Sequence, residues 1–524
     1  MTQLRARRRR TYSVRRGAIT TAVGIAAAAM VAVLAGCDAL APTGDDAPEA
    51  RVRPRVVVTT DPELDDYNSL IRFLLYAPDF RIEGLIYASS QFHWKGDGKG
   101  TKWYVPGREY TRFGLDLCPC ESWRWPEEER FIHDAVEAYA EVYDNLRVHH
   151  LGYPDPQELR SKIRIGNVEF DGDISRDSPG SNLIRSLLLD EGEGPIHLLA
   201  WGGQSTIARA LKSIQEEFEG TADWPALHQK ISRKAVIHAF GDQDDTYATY
   251  IGPNWPEIEF REVSTQTWGY SARSAVLRED QVYLSAEWTR DNVSRQGPLG
   301  ALYRVWGDGK QMVPGDRFDY FGLAGDRTGE ELRAMGYIVW MPVQEPGSWI
   351  SEGDSPTFLN LLDNGLRADE DSAFGGWGGR AGVDIGPEGP SSQYPSARFF
   401  AVAQRDFAAR LRWSVTERYE DANHPPEIRV RGGLDRRARP GEVLRIEGAA
   451  SDPDGDRVSL RWWQYSDAGT YDGTVPLGPE GREVIIRIPD DARPGDTIHL
   501  VLEASDDGDP ALTRYRRVIV VVAG

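Results

Sequence analysis

The sequence predicts an α/β domain built on a mainly parallel sheet covered by helices, followed by a C-terminal all-β sandwich. Short β-branched runs alternate with helical periodicity from Arg55 to Val415, the grammar of strand–helix–strand units. After Glu420 the helices stop, and short strands alternate with Asp-, Gly- and Pro-rich turns. Between the two lies Asn423-His424-Pro425-Pro426-Glu427, a rigid linker.

Arg55–Thr60 is the run RVVVTT, composed like a buried parallel strand. Tyr67–Ala77 then places Leu70, Ile71, Leu74 and Leu75 on one helical face. Arg81–Ala88 is the second strand. Glu127–Leu146 is an amphipathic helix with Ile132, Ala135, Val136, Tyr139, Val142 and Tyr143 on one side. Ser181–Asp190 reads as a helix, Pro195–Trp201 as a strand, Gln204–Phe218 as a helix and Arg233–Phe240 as a strand. Ser396–Val415, with Phe399, Phe400, Phe407 and Leu411, closes the domain as a helix. In the sandwich the expected strands are Val443–Glu447, Val458–Gln464, Glu483–Ile488, Ile498–Ala504 and Arg514–Val522. Trp462 and Trp463 then face opposite ways, so at most one is core; the other grips glycan or packs on the neighbouring domain. The expected domain limits are 1–36 for a leader, 37–54 for a disordered Pro/Ala/acid-rich tether, 55–420 for the α/β domain and 421–524 for the sandwich.

The leader has a basic start and an apolar run, Ala18–Ala35, ending in Leu34-Ala35-Gly36-Cys37. Leu-Ala-Gly-Cys resembles a bacterial lipobox, which makes Cys37 the lipidated N-terminus of an exported cell-envelope lipoprotein, periplasmic or at the cell surface. A plain signal peptide and a membrane-spanning anchor are the alternatives. Cys118 and Cys120 form a C-P-C run without metal-ligand spacing, and are structural or unexplained.

The 524 residues carry a formal charge of −20, and removing the seven leader arginines leaves −27. So acidic a chain excludes nucleic acid held by its phosphates and disfavours polyanions, while neutral glycans and cations suit it. Sixteen Trp and 21 Tyr lean the same way, since aromatic faces stack on sugars, although they are also core material. The oligomeric state is open, a homo-oligomer included.

Chemistry concentrates where the first strand ends. Asp61, Asp65 and Asp66 occupy the loop at its carboxyl end, the place where open α/β sheets bind ligands. Carboxylates this close repel and lose hydration in a cleft, which a hard dication such as Ca²⁺ relieves. An acidic surface turn with Asp61 as a helix cap fits the local sequence equally well.

TTDPELDDYNSL (59–70) resembles the opening signature of nucleoside hydrolases. More closely, WGGQSTIARAL (201–211), GDQDD (241–245), EGDSPTFLNLLDNGL (352–366) and GGWGGR (375–380) resemble an exported nucleoside-hydrolase-like family known as cellulose-binding. The resemblance covers nearly everything after the leader. It implies that Asp61 binds Ca²⁺ and activates the attacking water, that Asp65 holds sugar hydroxyls, and that Asp66 and Asp354 are Ca²⁺ ligands. It also implies a backbone carbonyl ligand near Ser205 and a sugar contact near Gln91. His93, Gln204, Asp244, Asp245 and Glu352 are the remaining candidates for the substrate site, Glu352 as a substitute acid. Two positions depart from the nucleoside-hydrolase pattern: Glu63 replaces a Gly, and Gly353 replaces a His that helps the base leave. The implied function is Ca²⁺-dependent hydrolysis of a glycosidic bond with inversion, on a carbohydrate or oligosaccharide, by a membrane-tethered protein. A non-catalytic carbohydrate-binding protein and a nucleoside hydrolase are the competing readings.

Overall fold

The computed structural model describes residues 52–478 and 481–524. The expected leader and the lipidation site at Cys37 lie outside the described residues. No helix among the described residues is long and apolar enough to cross a membrane.

Strand β1 (Arg55–Thr60) is buried at every position and is followed by α1 (Leu64–Leu75). Then come β2 (Arg81–Tyr87), α2 (Phe131–His149), β3 (Ile163–Ile165), α3 (Pro179–Leu189), β4 (Ile196–Ala200), α4 (Ser205–Phe218), α5 (Trp224–Lys234), β5 (Ala235–Ala239) and β6 (Glu259–Glu262). The six strands form one parallel sheet in the order β3-β2-β1-β4-β5-β6. The order reverses between β1 and β4, and the crevice at such a switch point is where doubly wound sheets take ligands. Two apolar clusters cover the sheet's faces. One gathers Leu70, Leu74, Ile132, Val136 and the residues of α6 (Phe400–Ser414); the other gathers Ile184, Ile207, Leu211 and Ile214.

β1, β2, β4, β5 and the long helices stand where periodicity predicts them, within a few residues at their ends. Sequence reasoning passed over β3, α5 and β6. β3 has three residues and β6 reads Glu-Phe-Arg-Glu, so neither carries a buried-strand pattern.

The C-terminal region contains β7 (Glu427–Val430), β8 (Asp435–Ala438), β9 (Val443–Ser451), β10 (Ser459–Gln464), β11 (Glu483–Arg487), β12 (Thr497–Ser505) and β13 (Thr513–Val522). They make a four-stranded sheet, β8-β13-β12-β10, and a three-stranded one, β11-β9-β7. Ile446, Trp462, Ile486, Leu500, Leu502 and Val520 share the core between them. Trp463 faces the other way and is covered rather than free. Arg398 lies 4.7 Å over its ring, and its indole N–H donates to Glu503 at 3.1 Å.

The sandwich is tied to the α/β domain by the Asn364–Gly365 and Phe374–Gly375 segments. Tyr515 N donates to Asn364 O (2.9 Å), and Arg517 donates to Phe374 O (2.6 Å) and Gly375 O (2.8 Å). A Cβ on Gly365 would sit 1.8 Å from Tyr515 O. Gly365 and Gly375 therefore serve this junction, while Gly376, Gly378 and Gly379 pack closely on Asn360, Pro356 and Ser396 within the α/β domain. Cys118 and Cys120 are joined as a disulfide in the long β2–α2 loop.

Candidate functional site

Asp61 is the first residue after β1 and is 0 % exposed. Neither of its carboxylate oxygens accepts a hydrogen bond. It is not a helix cap: the residue before α1 is Glu63, whose side chain makes no capping bond. Across the switch point the chain after β4 turns through Gly202, where a Cβ would stand 3.1 Å from Asp61 Cγ. Glycine lets β4's end close over the acid.

Asp65 and Asp66 open α1, where the positive end of the helix favours carboxylates. Asp66 Oδ1 accepts from Thr60 Oγ1 (2.6 Å) and from Asp61 N (3.1 Å). Asp65 accepts from Tyr270 Oη (3.2 Å) and Ser351 Oγ (3.1 Å), and the Tyr270 hydroxyl lies equally close to Glu63. Asp354 is 3 % exposed and is brought to Asp66 by the turn before Pro356–Leu359. Asp61, Asp65, Asp66 and Asp354, spread over nearly 300 residues of chain, thus meet in one buried acidic cluster. Burial pushes Asp66 and Asp354 well up, and the surrounding carboxylates add to it. Burial likewise raises Asp65, to about 6. Glu63 is driven up by burial and then by Asp65 and Asp61.

An isolated buried carboxylate is expensive unless it is paired or coordinates a metal. Asp61 has no N–H, O–H or guanidinium on it, and the carboxylates around it only worsen the repulsion. The donor set, all carboxylate oxygen at Asp61, Asp66 and Asp354, fits a hard dication. Glu63, Asp65 and Asp66 offer oxygens within 4.8 Å of one another, and so do Asp61, Glu63 and His93 with one atom each.

Above the acids opens a hollow of about 310 Å³, at the small end of ligand clefts. Its walls are aromatic, with Phe92, Trp201, Phe318 and Phe321 inside, and Phe113 and Trp340 at 62 % and 37 % exposure toward solvent. Arg112 and Arg124 contribute the wall's cations, and Arg124 is held by Glu109 (2.8 Å) and Asp316 (2.7 Å). Phe113 and Arg124 both have positive φ, 58° and 47°. Side-chain-bearing residues tolerate this only where the surroundings impose it, at a cost of about 1–3 kcal/mol each, and such strain clusters at ligand clamps.

The other sequence candidates divide. His93 is at the site, buried, with Nδ1 3.4 Å from Asp61 Oδ2 and 3.9 Å from Glu63 Oε2. Gln91 stands at the rim, where its side-chain oxygen accepts from Arg112, a residue of the hollow's wall (3.2 Å). Gln204 is buried behind the wall and donates to Gly241 O (2.8 Å). Ser205 is the first residue of α4, so its carbonyl points down the helix and not at the acids; the carbonyl expected near it is not Ser205's own. Asp244 accepts from Ser205 N (2.9 Å) and from Thr246 Oγ1 (2.6 Å), fastening the loop after β5 to the start of α4. Asp245 is an outward ion pair with Arg108 (3.0 Å). From that loop it is Gln243, not Asp244 or Asp245, that reaches the hollow.

Glu352 is corrected most clearly. It is 0 % exposed and turns away from the hollow. Both its oxygens are engaged by Arg72, one of them at 2.9 Å, and it also accepts from Tyr303 and Ser355. Gly353 follows because a Cβ there would stand 2.4 Å from Asp65 Oδ2. The space of a side chain at 353 belongs to the Asp65 carboxylate.

Sequence reasoning missed Tyr270, Ser351, Arg124 and most of the aromatic walls. They lie in irregular loops whose periodicity carries no signal; only the aromatic richness of the chain hinted at them.

A family model described as cellulose-binding Sde182, nucleoside hydrolase-like domain, matches residues 55–381. A second, described as cellulose-binding protein Sde0182, C-terminal domain, matches residues 444–522. Among solved structures, a nucleoside hydrolase-related hypothetical protein from Saccharophagus degradans, associated with carbohydrate metabolism, aligns with a TM-score of 0.65. It is 24 % identical, and the match covers 90 % of this chain and 100 % of that one. At that identity the likeness establishes the shared fold. A chimeric titin Z1Z2 matches 19 % of this chain at 16 % identity with a TM-score of 0.13, too low to carry argument. No curated protein matches the chain.

Proposed function

The chain belongs to the cellulose-binding Sde182 nucleoside-hydrolase-like family, and on that premise we propose that the hollow is a Ca²⁺-dependent site hydrolysing a glycosidic bond of a neutral glycan. The observation that carries this is Asp61: a buried carboxylate with both oxygens unpartnered, repelling Asp66 and Asp354, the acids that line the aromatic hollow. A bound dication would offset the mutual repulsion of these acids and make water a better nucleophile. Asp61 is then the base that takes the proton of the attacking water. Asp65, held by Tyr270 and Ser351, accepts from sugar hydroxyls. The carboxylates favour positive charge growing at the anomeric carbon, and direct attack by water inverts that centre. The closed acidic floor and aromatic walls suit a sugar held at the end of a chain.

A second reading, carbohydrate binding without turnover, is favoured by the exposed Phe113 and Trp340 at the mouth. Nucleoside cleavage is disfavoured by Gly353, where Asp65 occupies the room a leaving-group histidine needs. Export and lipid anchoring through Cys37 complete the proposal and place the site where glycans are met.

The test is a panel of nucleosides and furanosyl and pyranosyl oligosaccharides, with and without chelator, for wild type and Asp61→Asn. Turnover of a glycan lost in both the chelated protein and the variant supports hydrolysis. Glycan binding that persists in Asp61→Asn, without turnover by wild type, establishes the binding reading instead.

A further inference from the structure

His93 has a part to play that an oxygen-only Ca²⁺ site does not use. It is 0 % exposed, and neither ring nitrogen has a hydrogen-bond partner. Leaving buried polar atoms unsatisfied is costly, so a structural histidine would be expected to find a carbonyl or hydroxyl. Instead its Nδ1 lies 3.4 Å from Asp61 Oδ2 and 3.9 Å from Glu63 Oε2, without a hydrogen bond to either. One ligand atom each from Asp61, Glu63 and His93 fall within 4.8 Å of one another.

Those spacings have a meaning. A tetrahedral first-row dication holds nitrogen and oxygen at about 2.0–2.2 Å, which sets neighbouring ligand atoms about 3.4 Å apart. The His93–Asp61 distance matches this, and the Glu63 carboxylate, 18 % exposed, has the freedom to close the remaining half-ångström. Imidazole suits zinc-like first-row ions, whereas Ca²⁺ takes oxygen. Asp61 carries two unpartnered oxygens, of which Oδ2 is the one near His93.

We propose that Asp61, Glu63 and His93 form a second metal position, taken by an imidazole-accepting first-row dication, with the Asp61 carboxylate bridging it to the Asp61–Asp66–Asp354 position. Carboxylate-bridged pairs hold their ions about 3.5–4 Å apart, within the span of one carboxylate. Glu63 stands where the nucleoside-hydrolase pattern has a glycine. The inference rests on reading the hollow as a metal site, and its test separates the two.

The chelator-stripped full chain is equilibrated with excess CaCl₂, titrated with CoCl₂, desalted and analysed for both metals. Wild type should retain one Ca²⁺ and gain one Co²⁺ per chain, with a visible cobalt absorption band. His93→Ala should keep its Ca²⁺ and lose the band, its Co²⁺ affinity falling at least a hundredfold; Glu63→Gln should weaken Co²⁺ about tenfold or more. In wild-type protein, an imidazole N–H proton shifted by bound Co²⁺ in the NMR spectrum reports the ligand without any variant. Ca²⁺ bound with no Co²⁺ beside it, or His93→Ala retaining Co²⁺, or no shifted imidazole proton, overturns the second position while the Ca²⁺ reading stands. Binding of neither metal overturns both.

Discussion

Glu352→Gln distinguishes a buried strut from a ligand-binding acid. Glu352 and Arg72 are both 0 % exposed. The pair is embedded further: Arg72 donates to Gln404 Oε1 (2.6 Å) and Ala403 O (3.3 Å), and its guanidinium lies 3.8 Å over the Phe407 ring. The network joins α1, the turn carrying Asp354, and α6. Replacing the carboxylate with an amide leaves the Arg72 charge buried without its counter-ion, which costs about 3–5 kcal/mol. With an unfolding entropy of about 2.1 cal/mol/K per residue, a chain of this size loses roughly 1 °C of Tm per kcal/mol, so the variant should melt about 3–5 °C lower. Removing both charges in Arg72→Met/Glu352→Leu should recover part of the loss, since apolar replacement of a buried pair is often neutral. The assays are calorimetry and, at a temperature where both proteins are folded, glycan and Ca²⁺ titration. Affinity per folded molecule should stay within about twofold of wild type, a change below 0.5 kcal/mol. An unchanged Tm with affinity reduced tenfold would falsify the structural assignment and return Glu352 to the substrate site.

Asp406 gives the pH dependence. Burial alone would raise it, but Arg514 and Arg410 outweigh burial and hold it at about 2. With the folded value below the ordinary 3.8, its contribution is present above about pH 4 and lost as pH falls toward 2, about 2 kcal/mol in all. Urea unfolding from pH 5 to 2 should show wild type converging on Asp406→Asn; parallel curves would refute it. Phe113→Gly should release left-handed strain and raise Tm slightly, while glycan affinity falls about fivefold, near 1 kcal/mol of lost ring contact. Equal affinity would remove Phe113 from the ligand path. Gly353→Ala forces its Cβ against Asp65 Oδ2. It should cost about 1–3 kcal/mol of stability through overpacking and weaken glycan binding, whereas unchanged titration curves would show that Asp65 does not touch the sugar.

The frame was legible because its signals are local. Val56–Val58 and Leu198–Leu199 are fully buried strand residues, and the α1 and α2 faces repeat at helical spacing, so burial and pattern agree. β3 and β6 were not legible because they are short edge strands with partly exposed residues; partners place them, not composition. In the sandwich, β9 and β11 alternate in burial and β12 and β13 carry longer apolar runs, while β7 and β8 are four residues each and stand at the edges of their sheets.

The candidate site divides along the same physical line. Asp61, Asp65 and Asp66 could be found because three carboxylates crowd the end of a strand just before a helix, whereas Asp354, nearly 300 residues on, was reached only through the resemblance to the nucleoside-hydrolase-like family. Asp244, Asp245 and Glu352 carry the same chemical signal and are used differently. An acid's role is decided by what donates to it: backbone N–H for Asp244, Arg108 for Asp245, Arg72 for Glu352, and nothing for Asp61. That negative property exists only after folding, when every competing donor has been placed. Glu63 and His93 show the same limit from the other side. Neither belongs to a motif with metal-ligand spacing, and thirty residues of chain including β2 separate them. Only the adjacency of β1 and β2 brings the loops that follow them together, so the parallel register of that one strand pair decides whether an imidazole joins the acids.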